Sequence, residues 1–278
     1  MIELRAKLWR GVGLAAVLAG GVGLAACQPG GEAGENGAAQ HGEAGEAAKG
    51  ETGGEAGEGA APAPVEAAAG GEAGEAGAST AYASLAPAAE AALRLQHLKG
   101  FLLVAQKELQ AGRAAEAGAL VGQGVLEVHT PAPQAFSGLD IAPLTAASNA
   151  LMDGKPEGAA ALQRAIDAVS SKQAPADAAL VLRMLTITRG LYAGVVSSGV
   201  VDAVEYQHSL GAALAAQDAF TRAEAALTAK NAARTAEAKA ELERLVALWP
   251  SPTAPLAPTP PAKVAAQTSR VELALYGL

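Results

Sequence analysis

Four consecutive residues, Glu205-Tyr206-Gln207-His208, place a carboxylate and an imidazole three positions apart. On a helix, positions i and i+3 share a face, so both groups can reach one point. Carboxylate plus imidazole is a donor set suited to zinc, iron or copper. Helical bundles that hold two iron or manganese ions use Glu-x-x-His twice, with two further glutamates; here the unit occurs once. His97 lies midway along an apolar run, with Glu90 two turns earlier on the same side. If the two helices face each other, Glu90, His97, Glu205 and His208 can surround one divalent ion. Set beside that is a plainer reading. In it His97 is a partly buried histidine bonded to one carboxylate, and Glu205 is a solvated surface residue. His129, in Val128-His129-Thr130-Pro131, reads as a loop histidine and a lesser candidate ligand.

Other chemistry is not written in the chain. There is no Gly-x-Ser-x-Gly, no phosphate loop ending in Gly-Lys-Ser/Thr, and no His-Glu-x-x-His, so no catalytic residue is assigned. Apart from a divalent metal ion, no cofactor is implied. The single cysteine, Cys27, excludes an internal disulfide.

The elements that must position the histidines are helices. From about residue 80 to 249 the apolar residues recur with helical spacing. A first helix is predicted from Ala86 to Ala111, with Pro87 in its first turn and Gly112 at its end. A second spans Arg113 to Val128, weakened by Gly118, Gly122 and Gly124, before Thr130-Pro131-Ala132-Pro133 breaks the pattern. Further helices follow from Asp140 or Pro143 to Met152, from Pro156 to Ser171, and from Ala176 to Val196 with Pro175 in its first turn. Two more run from Val201 to Lys230 and from Ala232 to Leu248. No alternation is long enough to argue for a sheet. The short connections imply antiparallel neighbours, so the fold class is an all-α antiparallel helical bundle. Aromatic residues make up only 3% of the chain while hydrophobic residues make up 50%. Alanine and glycine supply much of that fraction, so thin, closely packed helices are expected. A Pro-rich linker at 250–262 leads to a last helix, 263–278, that docks back on the bundle.

Residues 28–79 repeat Gly-Glu-Ala units and hold ten Glu and one Lys. With nothing apolar larger than alanine except Val65, such a stretch cannot bury enough surface to offset ordering entropy, and it reads as a disordered acidic tether. The folded part is then nearly neutral, without the basic stripe that nucleic acid requires; no nucleic-acid partner is expected.

Ahead of the tether, Met1–Arg10 is net basic and Gly11–Leu24 is apolar, the layout of a signal peptide over residues 1–26. Leu24-Ala25-Ala26-Cys27 resembles the bacterial lipoprotein lipobox. That resemblance implies cleavage before Cys27, diacylglyceryl transfer to its sulfur, acylation with a chain such as palmitate, and a membrane partner reached through the lipid. Gln28, rather than aspartate, resembles outer-membrane sorting, with the domain facing the periplasm. The run Leu95–Val104, together with Glu205-Tyr206-Gln207-His208, resembles uncharacterised all-helical lipoproteins of Gram-negative bacteria. A more distant likeness in layout is to imelysin-type periplasmic proteins linked to iron uptake, although their His-x-x-Glu signature is absent.

The leading expectation is therefore a lipid-anchored, non-catalytic periplasmic binding or scaffolding protein with a periplasmic or outer-membrane protein partner. The alternative is a protein that binds zinc, iron or copper for uptake or storage, using His and Glu between helices.

Overall fold

In the computed structural model, which describes residues 79–197 and 199–278, helix α1 runs Pro87–Gln110. Proline suits its first position because the missing N–H has no helical partner there. Gly112, at φ +78°, takes the left-handed turn that ends it. The signal peptide, Cys27 and the acidic repeats up to residue 78 lie outside the described residues.

Helix α2, Ala114–Gln123, continues into a wider π-helical turn, Gly124–His129, rather than running regularly to Val128. The amide of Thr130 donates to Val125 O at 2.9 Å, a five-residue closure. A 3-10 turn at Pro133–Phe136 follows, with Phe136 buried against the His129 ring. Helix α3 spans Ala142–Met152; Asp140 accepts from its first amide at 2.9 Å. Helix α4 spans Gly158–Ser170.

Helix α5 is Ala178–Gly194 and starts later than the sequence pattern suggests. The Asp177 carboxylate accepts from Leu180 N at 2.8 Å, so Asp177 caps the helix and Pro175 lies before it. The break after α5 holds two short strands, β1 Val196–Ser197 and β2 Val200–Val201, paired antiparallel. Gly199, at φ +79°, supplies the left-handed residue of their turn. Val196 pairs with Val201 and Ser197 with Val200, a minimal hairpin among the described residues.

Helix α6, Ala203–Lys230, is capped by Asp202, and α7, Ala232–Val246, by Asn231. Helix α8, Pro261–Leu275, buries Val264, Val271 and Leu275 and packs on α7 and α5. The Pro-rich segment before it is tied down. Tyr192 OH donates to Thr259 O at 2.7 Å, Tyr206 OH donates to Ser251 O at 3.1 Å, and Thr259 Oγ1 donates to Leu248 O at 3.0 Å.

The architecture is all-α, as the spacing predicts. Helix α6 is the central element, lying against α1, α5 and α7. Its contact face is mostly alanine: Ala212, Ala213, Ala215, Ala216 and Ala219 are all buried. Short side chains let helix axes approach closely, so many small contacts replace a few large ones. Among the described residues, no helix is long and apolar enough to cross a membrane.

Candidate metal-binding cavity

Helices α1 and α6 run antiparallel. Gln96 Nε2 donates to Ala215 O at 2.7 Å near one end of the contact, and Gln207 Nε2 donates to Glu108 Oε1 at 2.6 Å near the other. Between these points Gly100 faces Gly211. A Cβ on Gly100 would lie 2.6 Å from Gly211 O, and one on Gly211 would lie 2.9 Å from Gly100 O. Only glycine at both positions permits this approach. His97 lies three residues before Gly100, and His208 three residues before Gly211. Both histidines line one cavity of about 390 Å³.

That cavity is lined by Tyr82, Arg94, His97, Phe101, Glu127, Glu205 and His208, with Leu126, Val128, Leu191 and Val204 among its apolar walls. Asp202 fixes the start of α6 by accepting from Val204 N at 2.9 Å and Glu205 N at 3.1 Å. Its own amide donates to Val195 O at 2.8 Å, so the amide that a capping-box glutamate would take is already used. Glu205 thus stands in the first turn of α6 with its side chain on the cavity wall. The π-helical turn performs the same service for Glu127. Such turns insert a residue into a helix and re-aim the side chains that follow.

His208 is 6% exposed. Its Nε2 lies 3.2 Å from Gln123 Oε1, and its Nδ1 lies 3.6 Å from Glu127 Oε2. An acceptor oxygen at Nε2 selects the tautomer that carries its proton there and leaves the Nδ1 lone pair toward Glu127. Burial pushes the imidazole pKa down to about 4, so His208 is neutral at pH 7 and its contact with Glu127 is not an ion pair. The 3.6 Å separation is long for a hydrogen bond. It matches two donors that each bind one ion at about 2 Å.

His97 is 5% exposed, and its ring centroid lies 5.4 Å from that of Phe101. Its Nδ1 lies 2.5 Å from Tyr82 OH. The Tyr82 ring carries the Arg94 guanidinium 4.2 Å from its centroid. His97 Nε2 is buried without a hydrogen-bond partner among the described residues. Burial first, then the nearby His208 and Arg94, push its pKa down to about 3. It too presents a neutral ring nitrogen.

The four residues singled out by spacing do not form one set. Glu205, His208 and His97 reach the same cavity, whereas Glu90 is held by Arg94 at 2.7 Å and is absent from the lining. His129 stacks against Phe136 instead. Among the described residues, no group of three or more His, Cys, Asp or Glu side chains is gathered tightly enough to hold a metal ion. The plainer reading of Glu205 as a solvated residue also fails, because it is 2% exposed. Tyr82 and Glu127 were not legible as site residues. Glu127 escaped because a regular 3.6-residue helix gives the wrong facing after Gly124, and the glycine-rich composition of the second helix was the available signal.

Residues 167–277 match a family model described as the iron permease-associated 4-helix bundle domain. No curated protein and no solved structure matches. The matched segment covers less than half of the chain and contains α5, α6, α7 and α8 whole, with Glu205 and His208 among its residues. Tyr82, His97 and Glu127 lie before it. This similarity overturns the leading expectation of a non-catalytic lipid-anchored scaffold and favours the metal-uptake alternative. It corrects with it the description of the chain as a palmitate-bearing outer-membrane lipoprotein, for which it gives no support.

Proposed function

We propose that this chain binds iron as cargo, within a system of iron permeation, and holds the ion in the cavity between α1, the π-helical turn and the start of α6. The observation that carries this reading is the pairing of a neutral, buried His208 with Glu127 at 3.6 Å, one turn from Glu205. Imidazole nitrogen and carboxylate oxygen suit a divalent first-row ion. A neutral imidazole needs no deprotonation before it ligates. The similarity of residues 167–277 to an iron permease-associated domain supports iron as the cargo rather than zinc or copper.

His208 Nδ1, Glu127 and Glu205, which are not gathered closely enough around one point as they stand, would supply the donors only once drawn together on the ion, with Gln123 holding the His208 ring in the required tautomer. Small rotations of the two glutamates would complete the set, and the 390 Å³ of the cavity leaves room for bound water as further ligands. Equilibrium dialysis of the full chain against iron(II) under anaerobic conditions tests the reading. The expected result is one ion retained per chain, with retention lost in His208→Ala and in Glu205→Ala. No retention above the dialysate, or retention unchanged in both variants, would overturn it.

A further inference from the structure

A second groove lies between α1, the chain around the 3-10 turn, and the segment joining α4 to α5. Its volume is about 350 Å³, within the range of small-molecule sites. Helix α1 lines it from Ala88 to Gln96, a length of about 12 Å. Leu95, Phe136, Leu139 and Leu180 form apolar walls. Among the described residues only two ionisable ones line it, Lys172 and Arg222, and both are cations.

The polar end is built from fixed groups. Gln96 is fully buried, and its Oε1 accepts from Gln173 Nε2 and from Arg222 Nη2, each at 2.5 Å. Its Nε2 donates to Ala215 O at 2.7 Å and to Asp218 Oδ2 at 3.1 Å. Arg222 also donates to Ala174 O at 2.7 Å and to Asp218 Oδ2 at 3.3 Å. Three of its five guanidinium N–H groups are thereby engaged, and two remain. Lys99, itself buried, donates to Asp218 Oδ1 at 2.8 Å and to Gln173 Oε1 at 3.0 Å. Lys99 and Arg222 thus share the single carboxylate of Asp218, and the cluster carries a net positive charge. Lys172 adds another: its Nζ reaches the loop at Gly138, where an added Cβ would lie 3.7 Å from it.

We propose that this groove binds a small amphipathic carboxylate, a medium-chain alkanoate whose tail lies along α1 and whose head meets Arg222 and Lys172. The inference is independent of iron at the other cavity. Charge and shape together select the ligand. Two cations sharing one carboxylate leave a place for one more anion, and hydrogen bonds between ionised partners are about twice as strong as neutral ones. The Arg222 side chain is 25% exposed, so an arriving head group displaces water from it without unpacking the helix pair. An uncharged hydrocarbon would cover the two remaining guanidinium N–H groups without pairing them, which costs their solvation. A cationic amphiphile would meet like charges. An inorganic anion would leave the apolar walls in water, where burying them is the larger gain.

Isothermal titration calorimetry of the full chain with hexanoate, octanoate and decanoate, each below its micellar concentration, tests this. Affinity is expected to rise about fourfold for each methylene added, the factor set by burying one such group. Decan-1-ol, with the same tail and no charge, should bind about tenfold more weakly than decanoate. Lys172→Glu should weaken decanoate by about tenfold or more, and because Lys172 is exposed this variant keeps the fold. Ala91→Phe, which fills the groove from α1, should abolish binding; Ala88→Phe, at an exposed position, serves if that variant fails to fold. No binding of decanoate by wild type would overturn the inference. So would decan-1-ol bound as tightly as decanoate, wild-type affinity in Lys172→Glu, or undiminished binding in both phenylalanine variants. The peptide Gly-Glu-Ala-Gly-Glu-Ala, which copies residues 42–47, should leave decanoate in place. Displacement of decanoate by that peptide would overturn the inference and assign the groove to the acidic repeats of this chain.

Discussion

Gly100 and Gly211 meet backbone to backbone, and each lies one helical turn from a histidine of the cavity. The site depends on this contact, because no larger residue lets α1 and α6 approach closely enough for His97 and His208 to open on one space. Gly100→Ala and Gly211→Ala each force backbone apart against a well-packed neighbour. Overpacking of this kind costs about 1–3 kcal/mol. Chemical denaturation should show that loss in either variant, and iron retention should fall with it. A Gly100→Ala protein as stable as wild type would contradict the close backbone contact between Gly100 and Gly211.

The two buried histidines make the metal-free protein acid-sensitive. In the unfolded chain both titrate near 6.5, whereas burial lowers the folded values to about 3 for His97 and about 4 for His208. Above pH 6.5 both states are neutral at these positions and nothing is lost. As pH falls below 6.5 the unfolded chain takes up protons that the folded chain refuses, so stability declines until the folded values are reached. At pH 5 each histidine should cost about 2 kcal/mol. Urea unfolding at pH 7 and pH 5 measures the decline, and His97→Gln should make it shallower by about that amount. An identical decline in both proteins would contradict the buried, neutral assignment.

Gln123 should matter to the ion without touching it. Its Oε1 lies 3.2 Å from His208 Nε2 and fixes which ring nitrogen is bare. Outer partners of this kind are worth about 10–100-fold in metal affinity. Gln123→Leu is expected to weaken iron binding within that range while leaving the helical circular-dichroism signal unchanged. Wild-type affinity in Gln123→Leu would show that His208 is not oriented through this bond.

Glu108 provides a contrast within the same helix pair. It is fully buried, ion-paired with Arg113 and bonded to Gln207 at 2.6 Å. Removing one partner of a buried pair leaves an uncompensated charge and costs about 3–5 kcal/mol. Arg113→Met should therefore lower stability strongly, yet at a temperature where the protein remains folded it should bind iron as wild type does. Loss of binding in folded Arg113→Met would extend the site beyond the cavity described.

Much of this was legible from residue spacing, and the reasons are local. Pro87, Gly112 and Asp153-Gly154 are chemically fitted to helix ends, so α1 and the end of α3 could be bounded without a structure, whereas the cap at Asp202 starts α6 two residues after the expected Val201. A shared cavity for His97 and His208 required their two helices to face each other, which spacing alone does not fix; α1 and α6 do pack together. What spacing could not show was departure from a regular helix. After Gly124 the π-helical turn shifts every side chain, which brings Glu127 to the cavity. Glu90 was misplaced for a different reason: a charged neighbour four residues on, Arg94, captures its carboxylate at 2.7 Å. The hairpin at Val196–Val201 escaped notice because two residues per strand carry no periodic signal.

The most direct measurement is anomalous diffraction at the iron edge from crystals of the full chain soaked anaerobically with iron(II). The account predicts a single strong peak about 2 Å from His208 Nδ1, with oxygens of Glu127 and Glu205 as its nearest protein neighbours. A peak at another place in the molecule, or no peak in the cavity at full soak, would contradict it.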